Sequence, residues 1–248
     1  MIAIDLNADL GEGMAFDDAL LGLVSSASIA CGGHAGTEET MRGALRGARR
    51  QGVVAGYHPG FADKANFGRV RLNIGIDDLV RQLRDQFETL GRLAAEEGVR
   101  LRYVKLHGAL ANMAAEDESI ASVCFATARR HDATLAVLAI DNSAQVPAAE
   151  GLGLAVIREA YADRAYQPNG LLLPRSADGA VLHDIEQIGH RAMTLALRGE
   201  LEAHDGSVVR TAARSLCVHG DTEGAVAMAR HIRGLLEAAQ ITVASPLA

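Results

Sequence analysis

The chain has 248 residues, of which 49% are hydrophobic, and it carries a formal net charge of −7. That length suits one α/β barrel of about 250 residues, and the apolar content suffices for a packed core. The negative charge disfavours a nucleic-acid partner, which would need a basic face. No apolar run reaches about 18 residues, so we expect no membrane span. A basic region typical of a signal peptide does not precede the first apolar stretch.

Strand and helix patterns alternate along the chain. In chain order we predict a strand over 2–6, helix 17–26, strand 27–31, helix 37–51, strand 53–57, helix 77–97, strand 101–106, helix 118–130, strand 134–140, helix 142–150, strand 154–159, helix 184–199, strand 215–220 and helix 222–240. The helix over 77–97 has the clearest period, with apolar residues three and four positions apart. Residues 59–75 and 160–183 are predicted to be long loops, which in compact domains are usually functional.

Alternating strands and helices predict parallel strand pairing with right-handed crossovers. A closed barrel and an open doubly wound sheet both fit this order. Polar side chains follow nearly every strand, whereas an open sheet concentrates its ligands at one switch point. We therefore predict one α/β domain over residues 1–248, built as a seven-stranded parallel β/α barrel with its site at the carboxyl ends of the strands.

The first strand leads into the acidic segment DLNADLGEG, residues 5–13. Its acidic side chains, Asp5, Asp9 and Glu12, repel one another unless something cationic lies among them. We interpret the segment, with Asn7, as part of a metal site or an acid–base pair. The alternative is a polar turn in which Asp9 caps the next element.

Histidines follow the next two strands, His34 in CGGHAG and His58 in GYHP. Equivalent positions on adjacent strands can converge on one site, and Asp9, His34 and His58 would offer oxygen and nitrogen ligands to a divalent metal. The alternative is an ordinary glycine-rich connection in which His34 has no partner.

The segment VKLHG places Lys105 and His107 two residues apart, so both face the same side of a strand. A lysine that points into a barrel needs a carboxylate or an anionic ligand to compensate its desolvation. An outward-facing pair is the alternative, but helices normally cover the outer face of parallel strands. We therefore predict that both residues belong to the site.

Further candidates follow the last strands in EAYADRAYQPNGLLLPR and CVHGD. An arginine fork suits a substrate carboxylate, although a structural salt bridge between Asp163 and Arg164 is an equal alternative. His219 and Asp221 lie at the end of the last strand, and the alternative for Asp221 is that it only caps the last helix. The candidates for substrate binding are Asn7, Glu159, Asp163, Arg164, Arg175 and His219.

Several common nucleotide and nucleophile motifs are missing from the sequence. It contains no phosphate-binding P-loop, no dinucleotide fingerprint, no Gly-x-Ser-x-Gly elbow and no Cys-x-x-Cys pair. The chain therefore lacks an ATP pocket of the P-loop kind. Cys31, Cys124 and Cys217 are widely spaced and odd in number, so we expect free thiols in a reducing, cytoplasmic compartment.

The motifs DLNADLGE, SIACGGHAG, YHPGFAD, VKLHGAL, EAYADRAY and CVHGD resemble those of the LamB/YcsF family, in the family's order from residue 5 to residue 222. The resemblance implies a barrel like that of glycoside hydrolases and polysaccharide deacetylases. It also implies ATP-dependent opening of 5-oxo-L-proline to L-glutamate with two partners, the 5-oxoprolinase subunits B and C. The family usually has aromatic residues at Gly33 and Ala111, so the substrate pocket here is expected to be wider.

On this basis we expect catalytic roles for Asp9, Glu12, His34, His58, Lys105 and His107. ATP is expected to act through the complex, and Lys105 with an arginine to stabilise the negative charge that develops on the amide. Two alternatives stay open. One is a metal-dependent amidohydrolase or deacetylase that needs no ATP, and the other is a non-catalytic subunit that only binds substrate.

Overall fold

The computed structural model describes residues 2–220 and 224–248. Its strands are β1 (Ala3–Leu10), β2 (Ser26–Ala30), β3 (Val54–His58), β4 (Leu101–Val104), β5 (Ala136–Ile140), β6 (Val156–Tyr161), β7 (Glu200–Glu202), β8 (Val208–Arg210), β9 (Ser215–Val218) and β10 (Thr242–Val243). Seven of them, β1 to β6 and β9, form a parallel ring that β9 closes by pairing with both β6 and β1, and β10 pairs in parallel with β1 outside this ring. The predicted seven-stranded parallel barrel is confirmed.

Eight α-helices are seen in the described residues: α1 (Asp17–Leu21), α2 (Glu38–Gln51), α3 (Ile76–Glu96), α4 (Gly108–Glu116), α5 (Glu118–His131), α6 (Gln145–Gly151), α7 (Ile185–Arg198) and α8 (Ala225–Ala238). Helix α2 begins where the Thr37 side chain accepts a hydrogen bond from the Thr40 amide, and it ends at Gly52 with a φ of 68°. Among the described residues, no helix has both the length and the apolar character to cross a membrane.

Strand β1 explains why the acidic segment belongs to the barrel rather than to a turn. It runs to Leu10, four residues beyond its predicted end, because β9 and β2 pair with its second half. Leu6, Ala8 and Leu10 are part of the hydrophobic core. The alternate side chains Asp5, Asn7 and Asp9 point into the barrel, as the two-residue period of a strand requires.

The barrel interior is polar rather than built only from apolar layers. The carboxylate of Asp5 accepts hydrogen bonds from the hydroxyls of Ser25, Ser26 and Ser215. Burial raises the pKa of Asp5, and these three hydroxyls partly oppose that rise. Hydrogen bonding thus offsets part of the desolvation of a carboxyl group in the middle of the fold.

The described elements differ from the predicted ones in several places. The helix predicted over 17–26 stops at Leu21, since Ser26 already pairs in β2. Helix α4 and the antiparallel hairpin of β7 and β8 were not predicted. The strand predicted to reach residue 106 ends at Val104. The predicted start of the last helix at 222, like Asp221, lies outside the described residues.

Candidate active site

A cavity of about 400 Å³ opens at the carboxyl ends of the barrel strands. The predicted site residues that line it are Asp9, Glu12, His58, His107, Arg164, Arg175 and His219. The remaining predicted residues lie buried next to this wall: Asn7, His34, Lys105, Glu159 and Asp163. The site is therefore layered, with a cavity-facing shell supported by a second set of polar side chains deeper in the barrel.

Lys105 is the centre of the deeper layer. Its backbone amide still bonds to Tyr57 O, at 2.9 Å, so the strand-like alternation continues past the end of β4. The ammonium lies 2.9 Å from Asp9 Oδ1 and 2.8 Å from Glu159 Oε1. It also donates to Asn7 Oδ1 and to Cys217 Sγ. The charge predicted for this position is present, and two carboxylates of the chain itself compensate it.

The pKa values of the two carboxyl groups beside Lys105, those of Asp9 and Glu159, shift in opposite directions. Burial alone would raise the pKa of Asp9, but His58 and Lys105 outweigh it and hold that pKa far below its usual range. Burial raises the pKa of Glu159, and Lys105 opposes that rise only in part. Burial would lower the pKa of Lys105, yet Asp9 and the other neighbours raise it. Lys105 and Asp9 are thus a buried ion pair, which fixes the Asp9 carboxylate at the floor of the cavity.

Glu12, His34, His58 and His107 form a compact cluster, and one ligand atom from each lies within 4.8 Å of the others. His34 Nε2 is 3.0 Å from Glu12 Oε1, and His107 Nδ1 is 3.6 Å from the same oxygen. His58 Nε2 is 4.0 Å from Glu12 Oε1 and 3.4 Å from Asp9 Oδ2. The rings of His34 and His107 stack with their centroids 3.6 Å apart.

The hydrogen bonds of His58 and His107 fix their tautomers. His58 Nδ1 is 3.0 Å from Lys105 O, and His107 Nε2 is 2.9 Å from Phe67 O. Carbonyl oxygens only accept, so these nitrogens carry the protons. The other two nitrogens, His58 Nε2 and His107 Nδ1, face each other at 3.0 Å. With both rings neutral, two lone pairs meet there, and a proton or a metal ion is needed between them.

The cluster can hold a metal ion. Its contacts of 3.0 to 4.0 Å resemble the separation of about 3.4 Å that tetrahedral ligands have with bonds of about 2.1 Å. Burial lowers the pKa of His34 to about 3 and lowers those of His58 and His107 well below their usual range. Neutral imidazole is the form that binds metals. The buried His34 Nδ1 also lacks a hydrogen-bond partner among the described residues.

His219 lies on another part of the cavity wall, bound to Asp163. Its Nδ1 is 2.9 and 3.0 Å from the two carboxylate oxygens of Asp163, which is fully buried. Burial would raise the pKa of Asp163, but His219 and Arg164 lower it. The imidazole stacks on the Tyr161 ring, with centroids 5.2 Å apart. Asp163 therefore pairs with His219, and the alternative of a salt bridge to Arg164 does not appear among the described ion pairs.

The two predicted arginines differ in their surroundings. The Arg164 guanidinium donates to Ala180 O at 3.1 Å and to Leu173 O at 2.7 Å, so it holds the loop over 163–183 together. Arg175 lies on that loop and lines the cavity, with no ion pair or hydrogen bond of its side chain to the described residues. Arg175 is thus the cavity cation with the greater freedom to meet an anionic ligand.

Several residues that line the cavity are not among those predicted from the sequence. Arg69 and Arg71 come from the loop over 59–75, which was predicted to be functional without a choice of residues. Arg69 lies 4.8 Å from the Phe67 ring centroid, and Arg71 pairs with Glu116. Tyr161 and Asn112 also line the wall. The only sequence signal for the arginines was a basic pair, Arg-Val-Arg, inside an unusually long loop.

The family usually has aromatic residues at the positions of Gly33 and Ala111. Ala111 lines the cavity, and Gly33 does not. Gly33 borders a separate shallow pocket, where the Gln86 side chain fills its space. A Cβ on Gly33 would lie 2.3 Å from Gln86 Oε1. Gln86 in turn accepts from the Gly60 amide and donates to Gly60 O. Of these two positions, only Ala111 bears on the expected widening of the cavity, which stays a prediction.

The sequence model of the LamB/YcsF family matches residues 4–248. The chain belongs to this family. It is 45% identical over 239 residues to the 5-oxoprolinase A subunit of Paracidovorax citrulli, covering 94% of this chain and 95% of the relative. The structure of a lactam utilization protein from Thermus thermophilus is 35% identical, with a TM-score of 0.91 over 98% of this chain and 99% of the other.

More distant likeness concerns the fold alone. A family 4 carbohydrate esterase from Streptomyces lividans, solved with acetate, is 10% identical with a TM-score of 0.53, over 98% of this chain and 91% of the other. This places the barrel of the LamB/YcsF chain among those of carbohydrate esterases and deacetylases, as the family resemblance implied.

Proposed function

We propose that this chain is the A component of an ATP-dependent 5-oxoprolinase and opens 5-oxo-L-proline, or a closely related lactam, to L-glutamate. Relatives of that name cover nearly its whole length at 43–45% identity. The observation that carries the proposal is the cavity itself, because one space joins Arg175, which has no ion pair or hydrogen bond to the described residues, to the cluster of Glu12, His58 and His107. Such a space suits a small cyclic amide with a carboxylate.

In this proposal Arg175 binds the substrate carboxylate, and the histidine cluster meets the amide group. An arginine matches a carboxylate in shape and charge. Lys105 acts from below: its ion pair keeps Asp9 ionised and in place, 3.4 Å from His58 Nε2. Asn7 and Glu159 complete the support, since the Asn7 amide donates to Glu159 Oε1 at 2.9 Å. These three are positioning residues, which do not line the cavity.

We further propose that ATP acts through partner subunits B and C and that the cluster holds a divalent metal. A ring amide is unactivated, and the sequence contains no phosphate-binding P-loop. Glu12, His34, His58 and His107 would be the ligands. When bound, a metal ion there would polarise the amide carbonyl and lower the pKa of a bound water. The cytoplasmic location expected from the sequence stays a prediction.

The test compares the purified chain with the complex reconstituted from this chain and subunits B and C. We expect ATP-dependent conversion of 5-oxo-L-proline to L-glutamate by the complex and little or none by any one of the three proteins by itself. Subunits B and C combined with a chain carrying His107→Gln should also be inactive. Full turnover by subunits B and C without this chain would show that the chain has no role in catalysis.

The second candidate is a metal-dependent amidohydrolase that needs no ATP. The facing nitrogens of His58 and His107, 3.0 Å apart, favour it because they provide a metal site independent of any nucleotide. The same preparations distinguish the two. ATP-independent hydrolysis of lactams or N-acetyl compounds by the isolated, metal-loaded chain would support the second candidate over the first. Binding of 5-oxoproline without turnover in any combination would indicate a subunit that only binds substrate.

A further inference from the structure

The histidines of the site differ in whether a ring nitrogen can reach a ligand. Both nitrogens of His58 and of His107 already have partners within hydrogen-bonding distance. His34 has 0% exposure, and it does not line the cavity. The nitrogens of His58 and His107 are therefore occupied by each other and by backbone carbonyls, whereas His34 Nδ1, which has no partner among the described residues, is sealed from the cavity.

His219 is different, because only one of its nitrogens has a partner among the described residues. Nδ1 is hydrogen-bonded to both carboxylate oxygens of Asp163. Nε2 has no hydrogen bond to the described residues. It is also not one of the fully buried polar atoms that lack a partner, so it remains accessible from the cavity. The ring lines the cavity with 12% of its side chain exposed. Among the site's four histidines, His219 is thus the one with an available nitrogen.

The surroundings of His219 hold this nitrogen in one orientation. Asp163 is an acceptor with 0% exposure, so Nδ1 carries the proton and Nε2 has the lone pair. Tyr161 stacks on one face of the ring, with an angle of 25° between the planes. A buried carboxylate behind an imidazole fixes its tautomer and stabilises the imidazolium that forms when Nε2 takes up a proton. A histidine that only bound substrate would not need this arrangement.

We propose that His219 transfers protons during the ring opening, with Asp163 as its positioning residue. This rests on the proposed function, in which ATP acts through subunits B and C, and the step assigned to His219 is the hydrolysis of the amide bond alone. Nε2 takes a proton from the attacking water, whose oxygen forms a bond to the amide carbon. The bond between that carbon and the ring nitrogen then breaks, and its electron pair moves onto the nitrogen. The same nitrogen receives the proton from Nε2, which restores neutral His219 and leaves an amine and a carboxyl group.

The experiment measures kcat, KM and ligand affinity in the reconstituted complex for four chains. These are the wild type, His219→Ala, Asp163→Asn and the control His190→Gln, which changes an exposed histidine of α7. For His219→Ala we expect kcat to fall about 100- to 10,000-fold while the Kd of 5-oxoproline changes less than threefold. Asp163→Asn should lower kcat with the same split, and His190→Gln should match the wild type.

Chemical rescue separates proton transfer from a structural role. Added imidazole should restore part of the kcat of His219→Ala, because the removed ring leaves room beside Tyr161, and it should not raise kcat of the wild type. Loss of activity through a raised KM alone, or without rescue in a folded variant, would overturn the proposal for His219. If Asp163→Asn does not fold, His219→Ala and its rescue still decide. A wild-type complex without 5-oxoproline turnover would overturn the proposed function and, with it, this role.

Discussion

Nε2 of His58 and Nδ1 of His107 face each other at 3.0 Å, while the opposite nitrogen of each ring contacts a backbone carbonyl. Neither facing atom carries a proton when the rings are neutral. Burial lowers the pKa of both histidines, so a shared extra proton is disfavoured near neutral pH. A metal ion is the other species that satisfies two facing lone pairs.

The first prediction concerns this metal. Protein purified without chelators should contain about one divalent transition-metal ion per chain by inductively coupled plasma mass spectrometry, and metal-free protein should bind Zn²⁺ or Co²⁺ in titrations. His107→Gln should weaken that binding at least tenfold, because it removes one nitrogen ligand. His190→Gln serves as the control. Protein that is metal-free as purified and binds neither Zn²⁺ nor Co²⁺ in titrations would contradict the prediction.

The second prediction concerns the ion pairs of Lys105. Lys105→Met should lower the free energy of unfolding by about 3–5 kcal/mol, since it leaves Asp9 and Glu159 buried without their cation. Urea unfolding measures this. The exposed lysine variant Lys64→Met is the matched control and should change little. Adding Glu159→Gln to Lys105→Met should recover part of the loss. An unchanged unfolding curve for the single variant would show that the pair contributes no net stability.

The third prediction concerns substrate recognition by Arg175. Arg175→Gln should weaken binding of 5-oxo-L-proline about 10- to 100-fold, because a hydrogen bond to a charged group contributes about 1.5–3 kcal/mol. Binding of 2-pyrrolidinone, which has the same ring without the carboxylate, should not change. Calorimetry on both ligands checks this, with the exposed Arg198→Gln as control. Equal losses for the two ligands would assign Arg175 to loop structure instead.

The fourth prediction concerns stability in acid. Although burial alone would raise the pKa of Asp141, hydrogen bonds from Thr211, Ala212 and Arg158 hold it below its usual range. A lowered pKa in the folded state stabilises the fold above the unfolded value of about 3.9. This contribution is lost as the pH falls through the folded value. Hence the wild type should exceed Asp141→Asn in unfolding free energy at pH 6, and the difference should shrink below about pH 4.

Urea unfolding of both chains between pH 6 and pH 3 gives that difference directly. The subtraction removes the titration of all other carboxyl groups that the two chains share. A difference that stays constant over this range would mean that Asp141 is not ionised in the fold, or that its hydrogen bonds do not depend on its charge.

Helix α4, the end of β1 and the cavity-facing side of the long loops depend on contacts between distant parts of the chain. Helix α4 begins at Gly108, shortly after β4, and the preceding His107 makes no side-chain cap, so no local signal marks it. The end of β1 at Leu10 depends on pairing with β2 and β9, and such pairing is a long-range property. Arg69 and Arg71 reach the cavity only because the loop over 59–75 folds back against His107 and Ala109.

The sequence by itself determined that polar residues of distant segments meet. In a parallel barrel all carboxyl ends lie on one side, so Asp9, His58, His107 and His219 had to share one region. Tertiary structure decided what each side chain does there. Lys105 forms an ion pair with Asp9, which is 96 residues away in the sequence. His219 forms its hydrogen bond with Asp163 rather than with a residue next to it in the chain. Such pairings depend on side-chain directions across the closed barrel, which are set by the packing of the whole ring and are absent from any local pattern.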